Sequence, residues 1–246
     1  MTIFIVWGTH VVSDFNFKRD KADLYKGVRN NSPIKVSPKH IRQFDKEFIA
    51  FTQANPSMEV LEIGCGSGLF LRYLLHRDFR FVTGIDYDEN LNGALEDLKE
   101  AGYTIELTDA ETYVDKNLNS LLFDRIVLFD VLEHIELNDS VKLLRKLHGM
   151  LNEGGKILIR VPNTTSPWGL RMQFDTFDHI TLFSPGRLHE LAAITGYKIS
   201  AISGQTTGKL RKVWFQQCLH WTLSRLLPYH PQIWEAVLIC TFEKSD

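Results

Sequence analysis

Leu61-Glu62-Ile63-Gly64-Cys65-Gly66-Ser67-Gly68 is the stretch that decides the fold. Glu59 to Ile63 reads as a buried strand, Gly64 to Gly68 as a tight turn, and Leu69 to Arg77 as a helix. Glycine admits backbone angles closed to other residues and lets a ligand approach the main chain. Free N–H groups at a helix start attract an anionic group such as a carboxylate. Ligands of such sheets lie at the carboxyl ends of the strands. The spacing is G-x-G-x-G, not the G-x-G-x-x-G of dinucleotide enzymes. A purely structural turn, or a different nucleotide, is the competing reading.

Working outward, strands and helices alternate. Ser37-Pro38 opens a helix through Phe51, with Ile41, Phe44, Phe48 and Ile49 on one face, and Asn55-Pro56-Ser57 breaks it. Beyond the glycine turn come a strand from Phe81 to Ile85 ending at Asp86, a helix from Leu91 to Ala101 closed by Gly102, and a short strand from Thr104 to Leu107. A strand from Arg125 to Phe129, a helix from Ser140 to Leu151 stopped by Gly154-Gly155, and a strand from Lys156 to Val161 follow. This rhythm predicts a mainly parallel sheet covered on both faces. The tail reads as a helix from Arg187 to Thr195, a strand from Tyr197 to Ile202, a long helix from Lys209 to Leu227 and a last strand from Trp234 to Phe242. Ser13 to Asn31 shows no clean period.

Composition narrows the function. Apolar residues make up 44% of the 246, enough for a sizeable core. The net charge of −2 lacks the basic excess of nucleic-acid binders, so no nucleic-acid partner is expected. The three cysteines, Cys65, Cys218 and Cys240, form no C-x-x-C pair; neither a disulfide framework nor a metal site is expected, and a cytoplasmic setting fits. The apolar start, Met1 to Trp7, is too short to span a bilayer and lacks a basic n-region, and no other stretch reads as a transmembrane helix.

Glu62-Ile63-Gly64-Cys65-Gly66-Ser67-Gly68 matches the E-x-G-x-G-x-G motif in full, and here the chain resembles the class I S-adenosylmethionine-dependent methyltransferases. The resemblance implies a loop, with Glu62, Gly64, Cys65, Gly66 and Gly68, that wraps the methionine part of S-adenosylmethionine. Asp86 follows at about the ~20 residues expected of a ribose-binding acid, with Tyr87 beside it. Taken alone, such an aspartate also serves as a cap or turn former. By the same resemblance Asp109, with Ala110, contacts the adenine amino group; a solvent-facing turn is the alternative. Phe123-Asp124-Arg125-Ile126 to Asp130-Val131-Leu132-Glu133-His134 looks like the fourth-strand motif, which brings the backbone at Phe129 and Asp130 to the methionine end. Asp124 reads as a structural turn residue. Leu151 to Gly155 resembles the L-K-P-G-G turn, with Glu153 in place of proline.

Val161-Pro162-Asn163 and then Asp178-His179-Ile180-Thr181-Leu182-Phe183-Ser184 resemble the V-P-N and H-x-x-x-F-S signatures of one branch. That branch contains ubiquinone-type O-methyltransferases and methyltransferases of sugar, natural-product and cell-surface pathways. The likeness covers residues 40 to 205 and returns in the last strand. It implies a Rossmann-like seven-stranded, mostly parallel α/β sheet with helices on both faces. The sixth strand lies parallel at the edge, and the last runs antiparallel between it and the fifth. One domain is expected: an N-terminal helical cover over 1–55, a cofactor-binding half over 56–163 and an acceptor-side half over 164–246.

Methyl transfer requires alignment of nucleophile, methyl and sulfur, and positioning alone supplies several kcal/mol. A hydroxyl acceptor also needs its proton removed, which suits a histidine. His179 and His134 are the catalytic candidates, with His179 slightly favoured; each equally reads as a residue that caps a helix or ties down a loop. Glu133 either orients His134 or starts a helix. In the 209–227 helix, Trp214, Phe215, Cys218, Leu219, Thr222 and Leu226 share one face. That face suits packing on the domain, a lid over the acceptor, a homodimer contact, or peripheral membrane contact helped by Lys209, Arg211 and Lys212. The function expected is O-methylation of a small-molecule acceptor, with S-adenosyl-L-homocysteine as product. N- or C-methylation, a non-catalytic cofactor-binding module and, against the motif spacing, a nicotinamide-dependent oxidoreductase are the rivals.

Overall fold

The computed structural model describes residues 34–208 and 210–245. The readings made for Met1 to Trp7, Ser13 to Asn31 and Lys209 lie outside the described residues.

Strands β1 (Val60–Ile63), β2 (Val82–Asp86), β3 (Thr104–Leu107), β4 (Phe123–Phe129), β5 (Leu151–Pro162), β6 (Tyr197–Gly204) and β7 (Val237–Lys244) form one sheet in the order β3-β2-β1-β4-β5-β7-β6. The pairs β1–β2, β1–β4, β2–β3 and β4–β5 are parallel, whereas β7 is antiparallel to both β5 and β6. The strand order switches direction at β1/β4, which opens a crevice at the carboxyl ends of those two strands.

Helices are α1 (Pro38–Phe44), continued by a wider turn over Asp45–Ala50, α2 (Leu69–His76), α3 (Glu96–Glu100), α4 (Ala110–Asn117), α5 (Leu137–His148), α6 (Pro167–Phe174), α7 (Pro185–Thr195) and α8 (Leu210–Leu226). Alternation along the buried strands sorts them into two layers. Leu61, Ile63, Ile126, Leu128, Ile157 and Ile159 face a core completed by α4, α5 and α7. Val60, Val127, Phe129 and Leu158 face the opposite core, completed by the α1 segment, α2 and α3. Ser37 caps α1 by accepting the His40 amide at 3.3 Å, and Pro38 supplies a first-turn residue whose missing N–H costs nothing there.

Several boundaries differ from the sequence reading. Leu91 to Ala101 is not one helix: a 3₁₀ segment, Glu89–Ala94, precedes the short α3, because Asp88 caps the earlier turn through Asn90. The helix expected from Ser140 to Leu151 runs from Leu137 to His148, and Leu151 already pairs with Phe123 as the start of β5. Helices α4 and α6 had no counterpart in the sequence reading; each opens on a cap, Asp109 and Ser166, that reads equally well as a turn residue. Asp124 is structural: its carboxylate accepts from the Glu59 amide and the Asn152 side chain.

The α8 face singled out in the sequence does not pack on the domain. Trp214, Phe215, Leu219 and Leu226 are exposed, and the helix attaches through Val213, His220, Leu223 and Ser224. His220 stacks on Trp234 with ring centroids 5.1 Å apart, and Ser224 accepts the Trp234 indole N–H. Among the described residues no helix is long and apolar enough to cross a membrane.

Candidate active site

The glycine turn links β1 to α2. Gly64, Gly66 and Gly68 all take positive φ, +75°, +50° and +77°. At Gly64 an added Cβ would stand 2.6 Å from Val131, and at Gly68 it would stand 2.7 Å from Leu98. At Gly66 it would meet nothing within 4 Å. The outer two glycines are therefore required by packing, whereas the middle one borders open space on the crevice side.

Acids surround this turn. Asp86 ends β2, and its carboxylate accepts the Gly66 amide at 2.8 Å and the Asp88 amide at 3.0 Å. Tyr87, next to it, is exposed. Glu62 is buried in β1, its Oε2 has no hydrogen-bond partner, and burial holds its carboxyl well above the usual range. Cys65 is buried too, and burial pushes its thiol up. Asp109 caps α4, accepting the Thr112 amide at 2.9 Å and the Thr112 hydroxyl at 2.6 Å; those bonds lower its pKa. Ala110 is the first residue of that helix.

At the end of β4, Phe129 stacks on Phe44 of α1 and meets Phe70 of α2 edge-on. Asp130 follows with φ +56°. Arg160 of β5 lies 4.2 Å over the Phe129 ring and forms ion pairs with Asp130 at 2.5 Å and Glu47 at 3.4 Å. Glu47 also accepts from Gln205, yet burial raises its carboxyl overall. Neither Arg160 nor Glu47 was singled out in the sequence, although a cation inside Ile157-Leu158-Ile159-Arg160-Val161 is the signal for one.

The two candidate histidines meet. The His134 and His179 rings lie 4.7 Å apart, centroid to centroid, and edge to face. His134 Nδ1 stands 2.9 Å from the Asp178 carboxylate and 3.1 Å from the Asp178 carbonyl. A carbonyl acceptor and a carboxylate on the Nδ1 side favour the tautomer with its proton there, in which Nε2 is the basic nitrogen. Hydrogen bonds hold the pieces together: the Ile180 and Thr181 amides both donate to the Glu133 carbonyl, and the Gln173 side-chain amide donates to the His179 carbonyl. Asp178 was legible only as the neighbour of His179.

Glu133 is 1% exposed, its Oε2 lacks a hydrogen-bond partner, and burial raises its pKa to about 8. Glu133, His134 and His179 each offer a ligand atom, all within 4.8 Å of one another, a grouping that the cysteine spacing did not foreshadow. A separate cavity of about 280 Å³ lies between α8 and the β6–β7 edge, with Gln217, Gln232 and Glu235 in its wall. His220 also lines it, with its Nε2 buried and without a hydrogen-bond partner.

A strand–glycine turn–helix at a switch point, with an acid closing the next strand, defines a nucleotide-type cofactor crevice. A methyltransferase domain family matches residues 39–202, two thirds of the chain, and the chain belongs to that family. It is 33% identical over 127 residues to phosphoethanolamine N-methyltransferase 3 of Arabidopsis thaliana, a match covering 50% of this chain and 25% of the plant enzyme. It is 23% identical over 172 residues to the ubiquinone biosynthesis O-methyltransferase of Rickettsia felis, covering 64% of this chain and 67% of that one. The chain thus spans about a quarter of the plant relative and about two thirds of the rickettsial one. Among solved structures it is similar to a SAM-dependent methyltransferase from Archaeoglobus fulgidus, with a TM-score of 0.62 at 18% identity, covering 93% of this chain and all of that one. It also resembles magnesium protoporphyrin IX methyltransferase from Synechocystis with bound SAM, with a TM-score of 0.58 at 14% identity, covering 95% and 99%. Those structural likenesses establish the fold, the Rossmann-like architecture shared with those methyltransferases.

Proposed function

We propose that the protein transfers a methyl group from S-adenosylmethionine to a hydroxyl oxygen of a small-molecule acceptor. The observation that carries this reading is the Asp178–His134 pair, a histidine whose basic nitrogen is set by a carboxylate 2.9 Å away. The described residues fit the cofactor. Open space at Gly66, the Glu62 oxygen without a partner and the strand-end Asp86 form a cradle beside the glycine turn. Glu62, Gly64, Cys65, Gly66 and Gly68 would hold the methionine part, Asp86 with Tyr87 the ribose, and Asp109 with Ala110 the adenine. The Phe129–Asp130 backbone would border the methionine end.

When bound, S-adenosylmethionine supplies an electrophilic methyl on sulfur. The chain's own task is to align the acceptor and take its proton. His134 accepts the hydroxyl proton at Nε2, Asp178 stabilises the resulting imidazolium, and His179 positions the acceptor against it. The sequence alone slightly favoured His179 as the base; the Asp178 contact favours His134. Residues 56–163 would hold the cofactor and the described part of 164–246 would shape the acceptor side; of the expected cover over 1–55, only residues 34–55 are described, and Phe44 against Phe129 supports their place at the crevice.

A second reading rests on the grouping of Glu133, His134 and His179, which suits a divalent cation that would bind the acceptor oxygen directly. An acceptor library screened for S-adenosylhomocysteine release tests the reaction, and a chelator arm separates the two readings. Activity untouched by chelation supports the base. Activity lost and then restored by a divalent cation assigns the trio to metal. Release with amines but not with hydroxyl compounds overturns O-methylation in favour of N-methylation, the chemistry of the plant relatives.

A further inference from the structure

We infer that the outward face of α8 docks on an anionic lipid surface, a property beyond the methyl transfer proposed above. Burying apolar side chains is what holds a helix on a domain, yet α8 turns its largest ones away. Trp214 is 68% exposed, Phe215 67% and Leu226 73%. Phe215, Leu219 and Leu226 follow one another at spacings of four and seven, so they form one ridge along the helix. Trp221 lies beside it with Arg225 over its ring at 4.9 Å.

Charge decides what covers this ridge. From residue 191 to residue 234 the chain carries five lysines and arginines and no acid, in a protein whose net charge is −2. Arg211, Lys212 and Arg225 all belong to α8, and all three are exposed. A second copy on a twofold axis would set these cations against themselves, because such an interface is self-complementary. An anionic bilayer complements them, while Trp and Phe side chains suit the headgroup–acyl boundary. The inner side of α8 stays anchored through His220 on Trp234, so docking requires no unfolding of the helix.

The test is co-sedimentation of the full-length protein with vesicles of phosphatidylcholine alone and of phosphatidylcholine with phosphatidylglycerol. Expected is binding to the anionic vesicles, weakened by salt, and little to the neutral ones. Each basic residue near such a surface contributes on the order of a factor of five, so Arg211→Glu with Lys212→Glu should cut binding by about tenfold or more. Trp214→Ala with Phe215→Ala should do likewise; all four positions are exposed, so the fold survives, as circular dichroism will show. Cys218 lies on α8 and is exposed, whereas Cys65 and Cys240 are buried, so an environment-sensitive dye reports from α8 itself. Its emission should shift to the blue with anionic vesicles. No binding to anionic vesicles, binding indifferent to both double variants, or an unshifted dye overturns the inference. A concentration-dependent dimer abolished by the Trp214/Phe215 variant assigns the face to a second copy instead.

Discussion

The Asp86 carboxylate accepts the Gly66 amide proton at 2.8 Å across twenty residues of sequence. The end of β2 is thereby tied to the middle of the glycine turn, and the Asp88 amide holds the same carboxylate from the other side. Replacing Asp86 with alanine removes the tie that shapes the turn and, on the proposed function, the acceptor for a ribose diol. Affinity for S-adenosylhomocysteine should fall by about 1–3 kcal/mol, measured by calorimetry. An unchanged affinity removes Asp86 from the cofactor site.

Two glycines of the turn should fail in different ways. Gly68→Ala places a methyl 2.7 Å from Leu98 at φ +77°, which should lower stability by about 1–3 kcal/mol in urea unfolding. At Gly66 an added Cβ meets nothing within 4 Å, so Gly66→Val should still fold, at a cost of about 1–2 kcal/mol for the backbone angle. Its branched side chain fills the space a ligand needs, so S-adenosylhomocysteine should no longer raise its melting temperature. A retained shift contradicts the assignment of the turn.

For a hydroxyl acceptor, His134→Ala should lower kcat by about 10²–10⁴-fold and leave S-adenosylhomocysteine affinity unchanged. Asp178→Asn should lower kcat in the same direction, because the amide no longer favours the imidazolium. Activity should fall at acid pH, because a protonated imidazole cannot accept a proton. Kinetics of His134→Ala, His179→Ala and the double variant decide the roles. If both single variants turn over within a few-fold of the parent, positioning alone suffices, which points to an amine that arrives deprotonated.

Glu133 gives a stability signature. Burial raises its pKa in the folded chain to about 8, against 4.5 for a freely solvated glutamate. Between those values the folded state holds a proton that the unfolded state has released. Stability therefore falls as pH rises from about 4.5 to about 8, by at most about 1.4 kcal/mol per pH unit. Glu133→Gln, which cannot ionise, should gain on the parent across that window when both are unfolded in chelator-treated buffer. Parallel stability curves from pH 5 to pH 8 would mean that Glu133 stays charged.

Local pattern determined most of the fold. The apolar run of β1, the positive-φ glycines and the terminal Gly196 stop of α7 act over a few residues, so they can be read from the chain. Asp86 and both histidines were legible as residue types in motif positions, and the strand order followed from resemblance. Short helices were not legible, because a cap such as Asp109 or Ser166 and a turn residue look alike until the next residues are placed. Tertiary structure alone decided that Asp178 faces His134 across 44 residues of sequence and that Glu47 reaches Arg160 across 113. It also decided which side of α8 turns inward. Periodicity identifies an apolar face but not its partner, and here that face points away from the core. The small inner contact, His220 on Trp234, holds the helix instead.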